Sequence, residues 1–243
     1  MTAKLSTRFF GLELKSPVIA ASSSITGNVE QIRKLANAGA GAVVLKSIFE
    51  EEIQYQLKEE LGLRDELHND PEYLDYFDYV IKDENLKKYT KLISDVKSAV
   101  DIPVVASVNC VSSNEWMSFA YKLQDAGADA LELNLYVSNA SLKLNSGDHE
   151  KYYFDVISRI LKYTSIPVSV KISPYFSNLA DMVIRLSQTG IAGISMFNRF
   201  YSPDIDINEE KVVSADVLSN ETEYLLPLRW IGTLSGKIGR AHV

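Results

Sequence analysis

Asp125-Ala126-Gly127-Ala128-Asp129 runs directly into Ala130-Leu131-Glu132-Leu133-Asn134, and this passage decides the fold. A small-residue join containing glycine suits a helix that ends in a left-handed cap. The apolar run after it suits a strand buried on both faces, as in a parallel sheet. The same join recurs on either side. Asn37-Ala38-Gly39-Ala40-Gly41 leads into Ala42-Val43-Val44-Leu45-Lys46, and Gln188-Thr189-Gly190 leads into Gly193-Ile194-Ser195-Met196-Phe197-Asn198. Three further runs open on proline at Pro17, Pro103 and Pro167, where a strand's first residue forfeits no interior ladder bond.

These joins predict strands near 17–22, 42–46, 103–109, 130–135, 167–172 and 193–198. Between them, helical stretches are expected at 29–38, 86–100, 115–126, 152–163 and 179–189; Leu92, Ile93, Val96 and Val100 keep helical spacing in the second. Strands alternating with helices imply right-handed βαβ units and a parallel sheet. Ala21-Ser22-Ser23-Ser24 follows the first strand where a dinucleotide-binding sheet would carry a glycine-rich fingerprint. The expected fold is therefore α/β, a (β/α)8 TIM barrel with about six of its eight βα units, over residues 1–237. Ser202 to Glu223 reads as a polar loop. Residues 238–243, Ile-Gly-Arg-Ala-His-Val, resemble a translated sequencing adapter and are expected to be a non-native tail on a gene truncated at its C-terminal end.

Composition bounds the function. The chain has 243 residues, 46% hydrophobic and 23% charged, with 12 glycines and 7 prolines, which excludes collagen-like and low-complexity classes. No apolar run is long enough to span a bilayer, and no apolar signal segment follows Met1, so a cytoplasmic protein is expected. The single cysteine, Cys110, excludes an internal disulfide framework and reads as a small buried hydrophobe. Between Glu50 and Glu84 stand 13 acids against Lys58, Arg64 and Lys82, inside a chain whose net charge is −7. That balance lacks the basic footprint of a nucleic-acid or membrane-surface binder. The acidic segment, about 50–85, reads as a solvated helical excursion whose tyrosines pack on something, with a lid or subunit contact as the functional alternative; Glu50, Glu51 and Glu52 read as a charged helix start. His68, His149 and His242 form no metal-ligand spacing. Trp116 and Trp230 read as packing residues.

Chemistry in such a barrel sits where strands end. All six predicted ends are polar: Ser22 to Ser24, Lys46-Ser47, Ser107 with Asn109, Glu132 with Asn134, Lys171 with Ser173, and Ser195 with Asn198. Two of them carry lysine, whose burial without a partner is costly. Lysines and amides together present donors to an anionic or carbonyl-rich planar ligand. A flavin ring edge that gains negative charge on reduction is one such ligand. Schiff-base formation on a carbonyl substrate is the rival use of a barrel lysine, and it needs only Lys46 or Lys171.

In order along the chain, these residues resemble the FMN-dependent dihydroorotate dehydrogenases, and more closely a dihydroorotate-dehydrogenase-like branch, from Leu5 to about Gly236. Leu14 to Ser22 resembles the family's opening strand, which implies that Ala21 and Ser22 lie against the flavin. Lys46-Ser47 is similar to its second-strand Lys-Ser, which implies contact with both flavin and substrate. Glu132-Leu133-Asn134-Leu135 resembles its fourth-strand motif, with Asn134 binding substrate. Val170-Lys171-Ile172-Ser173-Pro174 is similar to its fifth-strand motif, with Lys171 at the flavin N1–O2 edge. Asn198 stands where the family has another substrate asparagine, and Phe197-Asn198-Arg199-Phe200-Tyr201 with Pro203-Asp204-Ile205-Asp206 resembles the dehydrogenase-like branch. Asn109 is grouped with the cofactor residues. The resemblance implies FMN as cofactor, a small-molecule substrate and a possible homodimer.

The sequence also departs from the pattern. The family's catalytic cysteine or serine lies three residues past the asparagine, and here that position is Val137, which cannot take a proton; Tyr136 and Ser138 are possible substitutes. The family's Gly-Leu-Pro-Asn loop after the second strand is replaced by the acidic, tyrosine-rich segment. Three readings follow: an FMN-dependent oxidoreductase acting on a CH–CH bond of a small anionic, pyrimidine-like substrate; a flavin- or ligand-binding scaffold that has lost its base; and a Schiff-base lyase. The loops after strands seven and eight, which usually bind phosphate in such barrels, are not found, so the first reading is assigned to an intact parent and this chain is expected to bind flavin poorly.

Overall fold

The computed structural model describes residues 5–49, 71–109, 115–136, 145–199, 203–214 and 219–238, with the backbone alone at 71–80 and 115–118. The expectations for Cys110, Glu50 to Glu52, His68, His242, Val137, Ser138 and the side chain of Trp116 lie outside what is described. The strands are β1 (Thr7–Phe9), β2 (Leu12–Leu14), β3 (Ile19–Ala20), β4 (Ala42–Val44), β5 (Ile48–Phe49), β6 (Val104–Asn109), β7 (Ala130–Asn134), β8 (Val168–Ile172), β9 (Gly193–Met196), β10 (Pro203–Asp206) and β11 (Lys211–Ser214). The helices are α1 (Val29–Asn37), α2 (Pro71–Ala99), α3 (Glu115–Asp125), α4 (Ser146–Tyr163), α5 (Leu179–Ser187) and α6 (Leu225–Leu234).

Six parallel strands pair in the order β3-β4-β6-β7-β8-β9, with β5 adding to β6. Each of the six falls inside a span expected from the joins, and the alternation with helices makes the sheet an incomplete (β/α) barrel. Gly39, Gly127 and Gly190 adopt φ of +101°, +97° and +94°, the left-handed caps that let each helix turn into its strand. Helix starts are set by asparagine. Asn28 Oδ1 accepts from the backbone N–H of Glu30 and Gln31, Asn145 forms a reciprocal capping box with Asp148, and Asn178 caps Asp181.

Alternation along the strands divides the sheet into two faces. Val43, Val104, Ala106, Leu131, Leu133, Val168, Val170 and Ile172 turn outward and pack with Ile32, Ile93, Leu123, Ile157 and Met182 of the helices in the main core. The opposite face is layered. Its lower residues, Ala42, Val44, Val105 and Ala130, form a second core with Phe9, Phe10 and Leu14. Its upper residues are Ser107, Glu132, Asn134, Ser169, Lys171 and Ser195, held side by side by the register Ser107↔Glu132↔Ser169 and Asn134↔Lys171↔Ser195.

Phe9, Phe10 and Leu14 arrive on the hairpin β1–β2, absent from the expected strands. Phe10 and Gly11 both have positive φ, +52° and +75°, the two-residue turn that matches strand twist. A second correction concerns Ser202 to Glu223, expected as a polar loop. Residues 203–206 and 211–214 pair as the antiparallel hairpin β10–β11, and Asp206 Oδ1 accepts from the N–H of Asn208 and Glu209 to close its turn. The strands are short and exposed, so they lack the apolar alternation of a core strand. A third correction is the start of α2. The helix begins at Pro71, fifteen residues before the expected Leu86, on a proline whose missing N–H costs nothing in a first turn. Apolar residues at most positions from Tyr73 to Ile81 blur the helical period there.

Candidate functional site

A chain of side-chain hydrogen bonds crosses the upper inner face. Ser22 Oγ and Ser47 Oγ are 3.1 Å apart, Ser47 Oγ and Ser107 Oγ 2.7 Å, Ser107 Oγ and Glu132 Oε1 3.3 Å, and Ser195 Oγ and Glu132 Oε2 2.9 Å. The Ser107 and Ser195 hydroxyls donate to the Glu132 oxygens, and each hydroxyl has one proton. Ser47 therefore donates to Ser107, and Ser22 to Ser47. Ser22 Oγ in turn accepts from the Ser47 backbone N–H at 2.9 Å. All the hydroxyl protons point toward Glu132, which is 4% exposed.

Tyr89 of α2 anchors this chain from behind. Its hydroxyl donates to the Ser107 carbonyl at 3.1 Å and accepts from the Ser107 N–H at 3.0 Å. Burial pushes the phenol well above its ordinary pKa; the Ser107 backbone hydrogen bond opposes that shift, and the Glu132 charge adds to it.

Two cavities flank the chain. One, of about 230 Å³, is lined by Ala21, Ser22, Glu132, Lys171 and Ser195, with Phe9, Phe10, Met196 and Phe197 among its apolar walls. Lys171 is half-buried there, and no acid among the described residues pairs with it. The other, of about 450 Å³, is lined by Lys46, Ser47, Ile48 and Phe49 at the ends of β4 and β5 and by residues of α2 including Tyr89 and Leu92.

The structure thus brings Ala21, Ser22 and Lys171 to one cavity and places Lys46 and Ser47 on the other, the two being linked by the Ser22–Ser47 contact. Asn198 Nδ2 donates to Asn134 Oδ1 at 2.6 Å, which unites the two asparagines from separate strand ends. Asn109 ends β6, opposite Phe49 of β5. Tyr136 is largely exposed just past β7. Ser107 and Ser195 stand in the sequence only as polar strand ends, Glu132 also as the first residue of the fourth-strand motif but with no role of its own, and Tyr89, Phe9 and Phe10 carry no sequence signal of a site. The signal for Glu132 was available: a lone acid at an inward position of an otherwise apolar strand. Among the described residues, no cluster of three or more His, Cys, Asp or Glu side chains could hold a metal ion, and no helix is long and apolar enough to cross a membrane.

A family model described as dihydroorotate dehydrogenase matches residues 76–222. The catalytic subunit of dihydroorotate dehydrogenase B (NAD(+)) from Pyrococcus horikoshii is 27% identical over 229 residues, covering 89% of this chain and 67% of the relative. Putative dihydroorotate dehydrogenase A (fumarate) from Aeropyrum pernix is 27% identical over 236 residues, covering 96% of this chain and 70% of the relative. Dihydroorotate dehydrogenase A (fumarate) from Lactobacillus delbrueckii subsp. bulgaricus is 28% identical over 206 residues, covering 83% and 65%. The matches therefore span about two thirds of the length of these relatives. Among solved structures, dihydrodipicolinate synthase from Agrobacterium tumefaciens superposes with a TM-score of 0.46 at 16% identity, over 74% of this chain and 53% of that one, too loosely to bear on function.

Proposed function

Because the chain belongs to the dihydroorotate dehydrogenase family, we propose that it is an FMN-dependent oxidoreductase acting on a CH–CH bond of a small anionic, pyrimidine-like substrate. The observation that carries this reading is the convergence of Ala21, Ser22 and Lys171 on one cavity beside the paired asparagines. Those are the residues that the sequence resemblance assigns to flavin and substrate.

The donor set fits a flavin. An ammonium without a described acid partner, a serine edge and aromatic walls suit a planar ring system that has one carbonyl-rich edge. At about 230 Å³ the cavity is below the roughly 300–1,000 Å³ of whole-ligand pockets, so it suits part of the group, its ring edge, rather than all of it. When bound, FMN would supply two-electron redox chemistry. Lys171 would hold the ring edge and stabilise negative charge there. Ala21 and Ser22 would present backbone and hydroxyl to the ring. Lys46, Asn134 and Asn198 would hold the substrate, the asparagines already fixed relative to one another. Ser22 has its proton committed toward Ser47, so its oxygen lone pairs and not its hydrogen face other groups.

The reading assigns this chain to soluble, pyrimidine-related metabolism in the cytoplasm, with a homodimer as its expected assembly. A second reading, a flavin- or ligand-binding scaffold without turnover, is favoured by Val137 at the family's base position. An absorbance spectrum of the purified full-length gene product after FMN addition tests the flavin element of both: flavin bands that co-purify with protein support them, and a colourless protein opposes them. Dihydroorotate turnover with several electron acceptors then separates the two, since only the oxidoreductase turns over and loses that activity on Lys171→Ala.

A further inference from the structure

Glu132 has no part in the function proposed above, yet it lies inside the cavity that carries it. Of the described residues lining that cavity, only Lys171 and Glu132 have ionisable side chains. They stand on neighbouring strands, one ladder step apart on the same face: Asn134 pairs with Lys171, and Glu132 with Ser169. Strand spacing and rise put their Cα positions roughly 8 Å apart. The two side chains form no ion pair with each other. Glu132 is held by hydroxyls instead, Ser107 Oγ donating to Oε1 at 3.3 Å and Ser195 Oγ to Oε2 at 2.9 Å. An uncharged side chain could tie β6 and β9 in this way without the desolvation cost of a buried carboxylate. Lys171, for its part, is left free to face a ligand.

The hydroxyl chain works in the same sense as a negative charge at Glu132. The protons of Ser22, Ser47 and Ser107 all point toward it, so Ser22 offers lone pairs and not a proton to other groups. Lys171 is then the one cationic element of the described lining, opposed by Glu132 and by the Ser22 oxygen. We propose that Glu132 sets the reduction potential of the bound flavin: as a buried anion in the Lys171 cavity, it opposes the negative charge on the reduced ring that Lys171 favours. This role rests on the flavin reading. Charge that arrives with the electrons is stabilised by the ammonium and destabilised by the carboxylate, so Lys171 raises the potential and Glu132 lowers it.

Equilibrium redox titration of the full-length gene product loaded with FMN, against a dye of known potential, tests it. Glu132→Gln keeps size and shape and raises the potential: reduced FMN gains about tenfold in affinity over oxidised FMN, roughly 30 mV for a two-electron couple. Lys171→Ala moves the potential the opposite way. Glu132→Asp, which keeps the charge, stays nearer the parent than Glu132→Gln does. Ser195→Ala removes one donor and keeps the carboxylate, so it leaves the potential at or below the parent value; it also serves if Glu132→Gln does not fold. An unchanged or lowered potential in Glu132→Gln overturns the proposal. A raised potential in Ser195→Ala overturns it as well, because it marks a loosened site in place of a lost charge. Either result, read on bound flavin, leaves the flavin reading standing, whereas a full-length protein that stays colourless removes both.

Discussion

Glu132 on β7 accepts a hydrogen bond from Ser195 on β9 at 2.9 Å, reaching past β8 across the inner face of the sheet. Its other oxygen accepts from Ser107 on β6. One buried carboxylate therefore ties together strands that are not neighbours, and its cost of burial is offset by hydroxyls that have no other use for their protons. Ser195→Ala leaves one carboxylate oxygen without this donor and is expected to destabilise the protein by about 1–3 kcal/mol. Thermal unfolding should register it as a fall of roughly 2–4 °C per kcal/mol for a chain of this size. Glu132→Gln, which keeps one acceptor oxygen and offers an NH2 donor to the other serine oxygen, should cost less than Ser107→Ala combined with Ser195→Ala.

Tyr89 makes stability depend on alkaline pH. Its phenol pKa is raised in the folded protein from an ordinary value of 10.0. The folded state therefore holds the proton more tightly than the unfolded chain does. Its contribution is present in full below the unfolded value and is lost as pH rises through the folded one. Denaturant midpoints measured from pH 8 upward should fall more steeply above about pH 10 in the parent than in Tyr89→Phe. At neutral pH the phenylalanine variant should itself be weaker by about 1–3 kcal/mol, because the Ser107 N–H and carbonyl lose their hydroxyl partner.

Gly41 marks a place where two backbones nearly touch. A Cβ at that position would lie 1.9 Å from the Ser16 carbonyl oxygen, and Gly41 N–H already donates to the Val18 carbonyl at 2.7 Å. Backbone cannot rotate away as a side chain can. Gly41→Ala should therefore cost more than the about 1–3 kcal/mol of ordinary overpacking, and separate β3 from β4. Recovery of soluble, cooperatively folding Gly41→Ala protein with an unchanged midpoint would refute the close approach.

Lys171→Ala tests the flavin reading directly. Loss of one charge-assisted contact, worth about 1.5–3 kcal/mol, should raise the FMN dissociation constant by roughly ten- to a hundredfold. Fluorescence quenching of free FMN measures it. Equal affinity in the variant would place the ring edge elsewhere.

Much of this architecture was legible in the linear chain. Join glycines have left-handed φ because a helix must stop and reverse within a few residues, and Ile-Pro opens strands because proline tolerates only that end. Such features are local, so Gly127 before Ala130 and Pro167 before Val168 located strands to within a residue or two. The strand ends were legible too, and with them that Lys171, Glu132 and Asn134 gather at one end of the sheet; that all three turn inward came from the structure. The β10–β11 hairpin was less legible, since its strands pair with each other in solvent and carry no core-facing pattern.

What the sequence could not carry is distance across the sheet. Whether Ser195 meets Glu132, and whether Lys46 shares a cavity with Lys171, depends on strand register and on the curvature of the sheet, which are set by contacts between residues dozens of positions apart. The chain alone determined a parallel α/β barrel with polar strand ends and two lysines among them. Tertiary structure decided that those lysines serve two cavities, joined by the Ser22–Ser47 contact, and that a buried glutamate gathers the hydroxyl protons between them. Side-chain alternation is a property of each strand, whereas adjacency across strands exists only once the sheet has closed its register.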